Sequence, residues 1–152
     1  MRNYKNNRIS IVIISLVIIF VSCNKTKQHS NWLTGETWKV THLSLDGQPL
    51  DLMPALTFDD CNIYDEICFG SVKADGEGTA VFAWQIRKKG TEFELSDQTQ
   101  DINEGNEVAV SFSSSFSGIY SVNKATKKEM ELESNACVRY PGKKVIINLS
   151  KQ

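Results

Sequence analysis

The side chains of this chain that could do chemistry are few: four cysteines, two histidines and one short cluster of acids. A catalytic nucleophile needs a base within reach, and the base needs a third group to orient it. His29 lies in a polar stretch. His42 and Ser44 stand two residues apart on one strand-like face, with no orienting partner in the pattern. No Gly-x-Ser-x-Gly, phosphate-binding loop or HExxH segment occurs, so the expectation is a protein that is not an enzyme. Asp59, Asp60, Asp65 and Glu66 suit calcium by type, but the regular calcium loop with its central glycine is missing. They read as a solvated acidic rim. Three cysteines and two histidines at these spacings do not make a zinc site, and no metal or cofactor is expected.

Cys61 and Cys68 enclose Asn62–Ile67. A bridge between them fits a hairpin whose turn is centred on Tyr64-Asp65. Closing so short a loop stabilises by roughly 2–3 kcal/mol on the chain-entropy account. Cys68–Cys137, Cys61–Cys137 and three free thiols stay open as alternatives, because connectivity does not follow from sequence.

Cys23 has a different setting. It ends the run Ile9–Cys23, whose apolar part, residues 11–21, is broken only by Ser15. Such a run is too short to span a bilayer as a helix, which takes roughly 20 apolar residues. Arg2, Lys5 and Arg8 precede it and no acid does. A basic flank and a short apolar core have the form of a secretory signal. Phe20-Val21-Ser22-Cys23 resembles the lipobox of bacterial lipoproteins, with Phe20 where leucine is commoner. The resemblance implies cleavage before Cys23 and lipidation of its thiol and new amino end. Residues 1–22 would be the signal peptide and residues 23–31 a lipidated tether, since Asn24–Asn31 is polar and without period. Some surface-exposed lipoproteins of Bacteroidetes-type bacteria carry an acidic cluster after the cysteine. Here Lys25 and Lys27 stand there, and no acid comes before Glu36. The implied location is the cell envelope, lipid-anchored at the outer membrane and facing the periplasm, with the membrane as partner through the lipid on Cys23.

The chain from Cys23 onward has 14 basic against 18 acidic residues, because the first 22 residues carry three bases and no acids; the formal charge moves from −1 to −4. A mildly acidic domain without a basic block has no footprint for nucleic acid. Nor does its composition suggest that its own side chains hold it on anionic lipid.

From Trp32 the pattern is strand after strand. Glu36–Leu45 holds Trp38 and Val40 on one parity and Leu43 and Leu45 on the other, which predicts a bulge near Thr41-His42. Leu56 and Phe58, then Phe82, Trp84 and Ile86, then Phe93 and Leu95 alternate inward. So do Tyr120 and Val122, Met130 and Leu132, and Val145, Ile147 and Leu149. Glu107–Phe112 is read the same way, with Val108, Val110 and Phe112 on one face and Ser113–Ser117 continuing it or looping out. Asp75–Gly78 is a hairpin signal, and Asp97–Asn106 reads as a loop. About eight hairpin-linked strands with one apolar face each call for a sandwich or a barrel. Meander order favours an all-β, antiparallel up-and-down β-barrel over residues 32–152.

Leu33-Thr34-Gly35-Glu36-Thr37-Trp38-Lys39-Val40, Leu56-Thr57-Phe58 followed by Cys61 and Cys68, the Phe82–Trp84 strand, Ser117–Val122 and Val145–Leu149 together resemble the lipocalin-like lipoproteins of Bacteroidetes-type bacteria. Lipocalins proper have Gly-x-Trp at the first strand; here it is Gly35-x-x-Trp38. The resemblance implies an architecture more than an activity. Trp38, Phe58, Phe82, Trp84, Phe93 and Tyr120 are the candidate lining of a site for one small apolar ligand. An eight-stranded barrel either holds such a ligand or fills with side chains. The alternative is therefore a filled-core barrel acting as a partner-binding or structural envelope module, with no protein partner named by the residues.

Overall fold

The computed structural model describes residues 25–62, 67–74, 79–99 and 107–152. Nine strands follow in order: β1 Glu36–Leu45, β2 Gln48–Pro49, β3 Ala55–Phe58, β4 Cys68–Lys73, β5 Thr79–Arg87, β6 Glu92–Asp97, β7 Gly118–Ala125, β8 Glu129–Ala136 and β9 Pro141–Lys151. Every pairing is antiparallel, and each strand from β3 onward pairs with the next. β1 pairs with β3 on one side and with β9 on the other. That second pairing closes eight strands into an up-and-down barrel, as the alternation predicted. The two-residue β2 lies outside it, on the end of β1.

The interior follows from period two. Trp38, Val40, Leu56, Phe58, Val72, Phe82, Trp84, Phe93, Leu95, Tyr120, Met130, Leu132, Val145, Ile147 and Leu149 form one buried cluster. The parity change in β1 is a register shift between Val40 and His42. Without it Leu43 would leave the interior, since one residue's slip turns a strand inside out. Gly70 of β4 is flanked by Phe58 and Phe82 in register. A Cβ there would stand 2.6 Å from Phe82 Cζ and 2.5 Å from the Thr57 carbonyl oxygen, so only glycine lets the Phe82 ring lie across that strand.

Two helices correct the sequence expectations. Residues 25–33 form α1, where a tether without period was expected. Thr26 is half-buried and His29, Ser30 and Leu33 are buried, at the i, i+3, i+4, i+7 spacing of a helix face. Only Leu33 of the four is apolar, so hydropathy hid the period. The turn ends at Gly35 with φ 71°, a conformation that favours glycine after a helix. The Gly35 amide then donates to the Phe58 carbonyl at 2.8 Å.

The second correction is Glu107–Phe116, which is helix α2 rather than a strand. Ala109, Phe112, Ser113 and Phe116 are buried at helical spacing, with Ser115 buried beside them, whereas Val108 is 42% exposed. The serines that disfavour a helix on propensity are absorbed by hydrogen bonds: Ser113 Oγ donates to Asp97 Oδ1 at 2.7 Å and Ser117 Oγ to the Ser113 carbonyl at 2.8 Å. Residues 63–66, 75–78 and 100–106 lie outside the described residues. So do the 75–78 hairpin turn, most of the 97–106 loop, and Tyr64, Asp65 and Glu66.

Candidate functional site

The six candidate lining residues all project into the barrel and are at most 1% exposed. Four of them, from β3, β5 and β6, pack as one aromatic group. Phe58 stands edge-on to Phe82 at 5.5 Å, to Trp84 at 5.2 Å and to Phe93 at 6.3 Å between ring centroids, and Trp84 stacks on Phe93 at 6.4 Å. These are the separations that aromatic pairs favour, each adding about 0.5–1.5 kcal/mol beyond area burial. Trp84 Nε1 donates to the Phe69 carbonyl at 2.9 Å. Trp38 Nε1, in contrast, is buried without a hydrogen-bond partner among the described residues.

Tyr120 belongs to a separate polar pair. Its hydroxyl donates to the Phe116 carbonyl, and the Cys137 sulfur lies 3.0 Å from the same oxygen. The phenol has one hydrogen and spends it on the carbonyl, so the thiol donates to the phenol oxygen. Burial pushes the Tyr120 hydroxyl well above its ordinary range, and Cys137 adds to the shift. Burial likewise raises the Cys137 thiol, against the hydrogen bonds to Tyr120 and Ser134. Both groups are neutral at physiological pH, and among the described residues Cys137 is the free, buried thiol. This pair joins β7 to the β8–β9 turn, beside the backbone bridge between Gly118 and Cys137.

Cys61 and Cys68 are joined in a disulfide, with Cα atoms 5.6 Å apart. It ties the segment after β3 to the start of β4. Of the acids around it, the Asp59 amide donates to the Phe69 carbonyl at 3.1 Å, and the Asp60 carboxylate packs on Gly35. Asp65 and Glu66 lie outside the described residues, as does Cys23. Among the described residues no three His, Cys, Asp or Glu side chains gather as a metal-holding group. His42 and Ser44 do share the outer face of β1, but Ser44 is buried under β2 and the two have different strand partners, Asn148 and Ile146.

Both mouths of the barrel are covered. α2 packs on β4, β5 and β6 at one end, with Phe112 on Phe116 at 5.3 Å and Phe116 on Tyr140 at 5.7 Å. At the other end α1 runs from the β5–β6 turn, where a Cβ on Gly90 would lie 2.9 Å from Lys25 Cβ, to Gly35 at the start of β1. The nine described helical residues reach about 13 Å, enough to cross a small barrel's mouth. His29 Nδ1 bonds the Gly90 carbonyl at 3.1 Å, and its ring packs on Trp32 at 5.2 Å. Burial lowers the His29 pKa and the nearby Lys25 charge adds to that, against the Gly90 hydrogen bond. Nothing in the hydropathy of Asn24–Asn31 marked this cover; the Leu33 and Gly35 spacing was its one sequence signal.

On the outside, an open groove of about 300 Å³ is lined by Thr41, Lys124, Glu129, Glu131, Asn148 and Ser150 among others. It is polar and solvated. Lys124 holds Glu129 at 2.6 Å, and that hydrogen bond lowers the Glu129 pKa. No protein-family model matches the chain, and no curated protein sequence matches it either.

Proposed function

We propose that this protein is a lipid-anchored cell-envelope lipoprotein whose barrel has a filled core and works through its outer surface, as a partner-binding or structural module rather than as an enzyme. The observation that carries the core reading is the edge-to-face packing of Phe58 on Phe82, Trp84 and Phe93. The lipobox-like Phe20–Cys23 behind a basic, apolar leader supports the anchor and, with Lys25 and Lys27 following, an outer-membrane site facing the periplasm. Lipocalin-like lipoproteins of Bacteroidetes-type bacteria are the kind of protein this describes. The test of the anchor is the intact mass of protein recovered from membranes of a Gram-negative host. Loss of residues 1–22 with acyl chains on Cys23 is expected, and Cys23→Ala should leave the full-length unmodified mass. An unmodified wild-type protein would overturn the reading.

A carrier of one small apolar molecule is the second reading, and the unpartnered Nε1 of Trp38 favours it. A buried N–H without an acceptor is costly, and a ligand oxygen would satisfy it. Native mass spectrometry of the gently purified protein separates the two. A bare mass supports the filled core, and a releasable apolar mass supports the carrier.

A further inference from the structure

The two halves of the α1 end of the barrel differ in charge. At the first described residues of α1, Lys25 lies beside the 3-10 turn Lys88–Gly90, and Lys27 follows two residues on. The β7–β8 turn, with Lys127 and Lys128, is at the same end, since Glu92 of β6 pairs with Ser121 of β7 and the Val122 amide donates to the Thr91 carbonyl. All six lysines are exposed. Lys88 pairs with Glu92 at 2.7 Å. Lys25, Lys27, Lys89, Lys127 and Lys128 make no ion pair with a described carboxylate. Where α1 ends, the described charges near Gly35 are three acids, Asp59 and Asp60 after β3 and Glu36, against one lysine, Lys151, which pairs with Glu36. The fold therefore gathers a basic cluster that the composition did not suggest, because the six residues come from three separate parts of the sequence.

We propose that this basic half-face is a docking surface for anionic lipid headgroups and that it sets how the barrel lies on the membrane. The inference rests on the Cys23 anchor proposed above. Cys23 is two residues before Lys25, so their Cα atoms are at most about 7 Å apart in any conformation. A lipid on Cys23 brings the first described turn of α1, with the β5–β6 and β7–β8 turns at the same end, toward the headgroup layer. The cations then meet an anionic surface at less than the screening distance of about 8 Å in physiological salt. The fixed cover that α1 makes with the Gly90 carbonyl and the buried Leu33 turns anchoring into orientation, which a tether would not.

The test is amine acetylation, followed lysine by lysine, of the full protein purified from membranes. It is placed in vesicles of phosphatidylcholine alone or of phosphatidylcholine mixed with phosphatidylglycerol. In anionic vesicles Lys25, Lys27, Lys89, Lys127 and Lys128 should acetylate about threefold more slowly than in neutral ones, the factor an anionic surface potential imposes on the free-amine fraction. High salt should abolish the difference, and Lys143 and Lys144 at the α2 end should not change. Lys27→Glu with Lys128→Glu should weaken the slowing at the remaining three. Equal rates in both vesicle types, or equal slowing at Lys143 and Lys144, would overturn the docking face. The peptide carrying Cys23 in the same digests reports the anchor separately. Lipid without selective slowing defeats the docking face alone, whereas selective slowing without lipid keeps the face and defeats the anchor.

Discussion

The Cys137 sulfur lies 3.0 Å from the Tyr120 hydroxyl oxygen, and that oxygen already donates to the Phe116 carbonyl. One phenol thus joins the end of α2, strand β7 and the β8–β9 turn. Tyr120→Phe leaves both the carbonyl and the thiol without it. Leaving a buried polar group unpaired costs about 1–3 kcal/mol, and a loss of that size is expected in urea unfolding. The thiol, raised by burial, should resist a disulfide reagent in the native protein and react on unfolding. Rapid native labelling would contradict the burial.

Gly70→Ala places a methyl group against Phe82 Cζ and the Thr57 carbonyl, which is backbone and cannot swing away. Overpacking of this kind typically costs about 1–3 kcal/mol. Gly47→Ala is the comparison: nothing lies within 4 Å of its Cβ position, and its cost comes from φ 79° alone. Thermal unfolding of the two variants should show Gly70→Ala with the altered near-ultraviolet aromatic signal and Gly47→Ala without it.

Reducing the Cys61–Cys68 bridge, or replacing both residues by serine, frees the loop between them. The chain-entropy account gives a loss of about 2–3 kcal/mol for a loop this short. Because β3 and β4 still pair through Leu56, Thr57 and Phe58, the barrel should remain folded. The check is equilibrium denaturation with and without reductant, read against far-ultraviolet dichroism.

His29 has a folded-state pKa below its ordinary value, chiefly through burial. The unfolded chain therefore takes up its proton first as pH falls. Stability is fully present above the unfolded value of about 6.5 and declines as pH drops from there toward the folded value. His29→Gln should flatten that part of the profile. An unchanged pH dependence between wild type and variant would refute the assignment.

The strands were legible because side-chain burial in them depends on a simple alternation. Glu92-Phe93-Glu94-Leu95 and Met130-Glu131-Leu132 carry it without ambiguity, and the bulge at Thr41 was marked by the parity change that follows it. The helices were not legible, for two different reasons. In α2, Val108, Val110 and Phe112 imitate alternation, and only Ala109, Phe112, Ser113 and Phe116 taken together show the helical face. In α1 the buried face is mostly Thr26, His29 and Ser30, whose burial is decided by contacts with Gly90 and the barrel mouth and not by hydropathy. The basic cluster escaped for a related reason: Lys27, Lys89 and Lys128 are far apart until β5, β6, β7 and β8 are placed side by side. The aromatic interior was found residue by residue, but its packing geometry belongs to the closed barrel.

The pairing of β1 with β9 sets Leu43 against Ile147, more than a hundred residues away in the chain. A shape closed by its first and last strands has no stable halfway form. Until Pro141–Lys151 is available, β1 and β8 each offer a bare row of amides and carbonyls, the template on which chains pair with their neighbours. Closure must wait for β9 to be released, and such non-local closure is slow. For anyone making this protein, the C-terminal end is thus a poor place for a truncation or a bulky fusion, and the hazard to expect there is exchange of β9 between molecules.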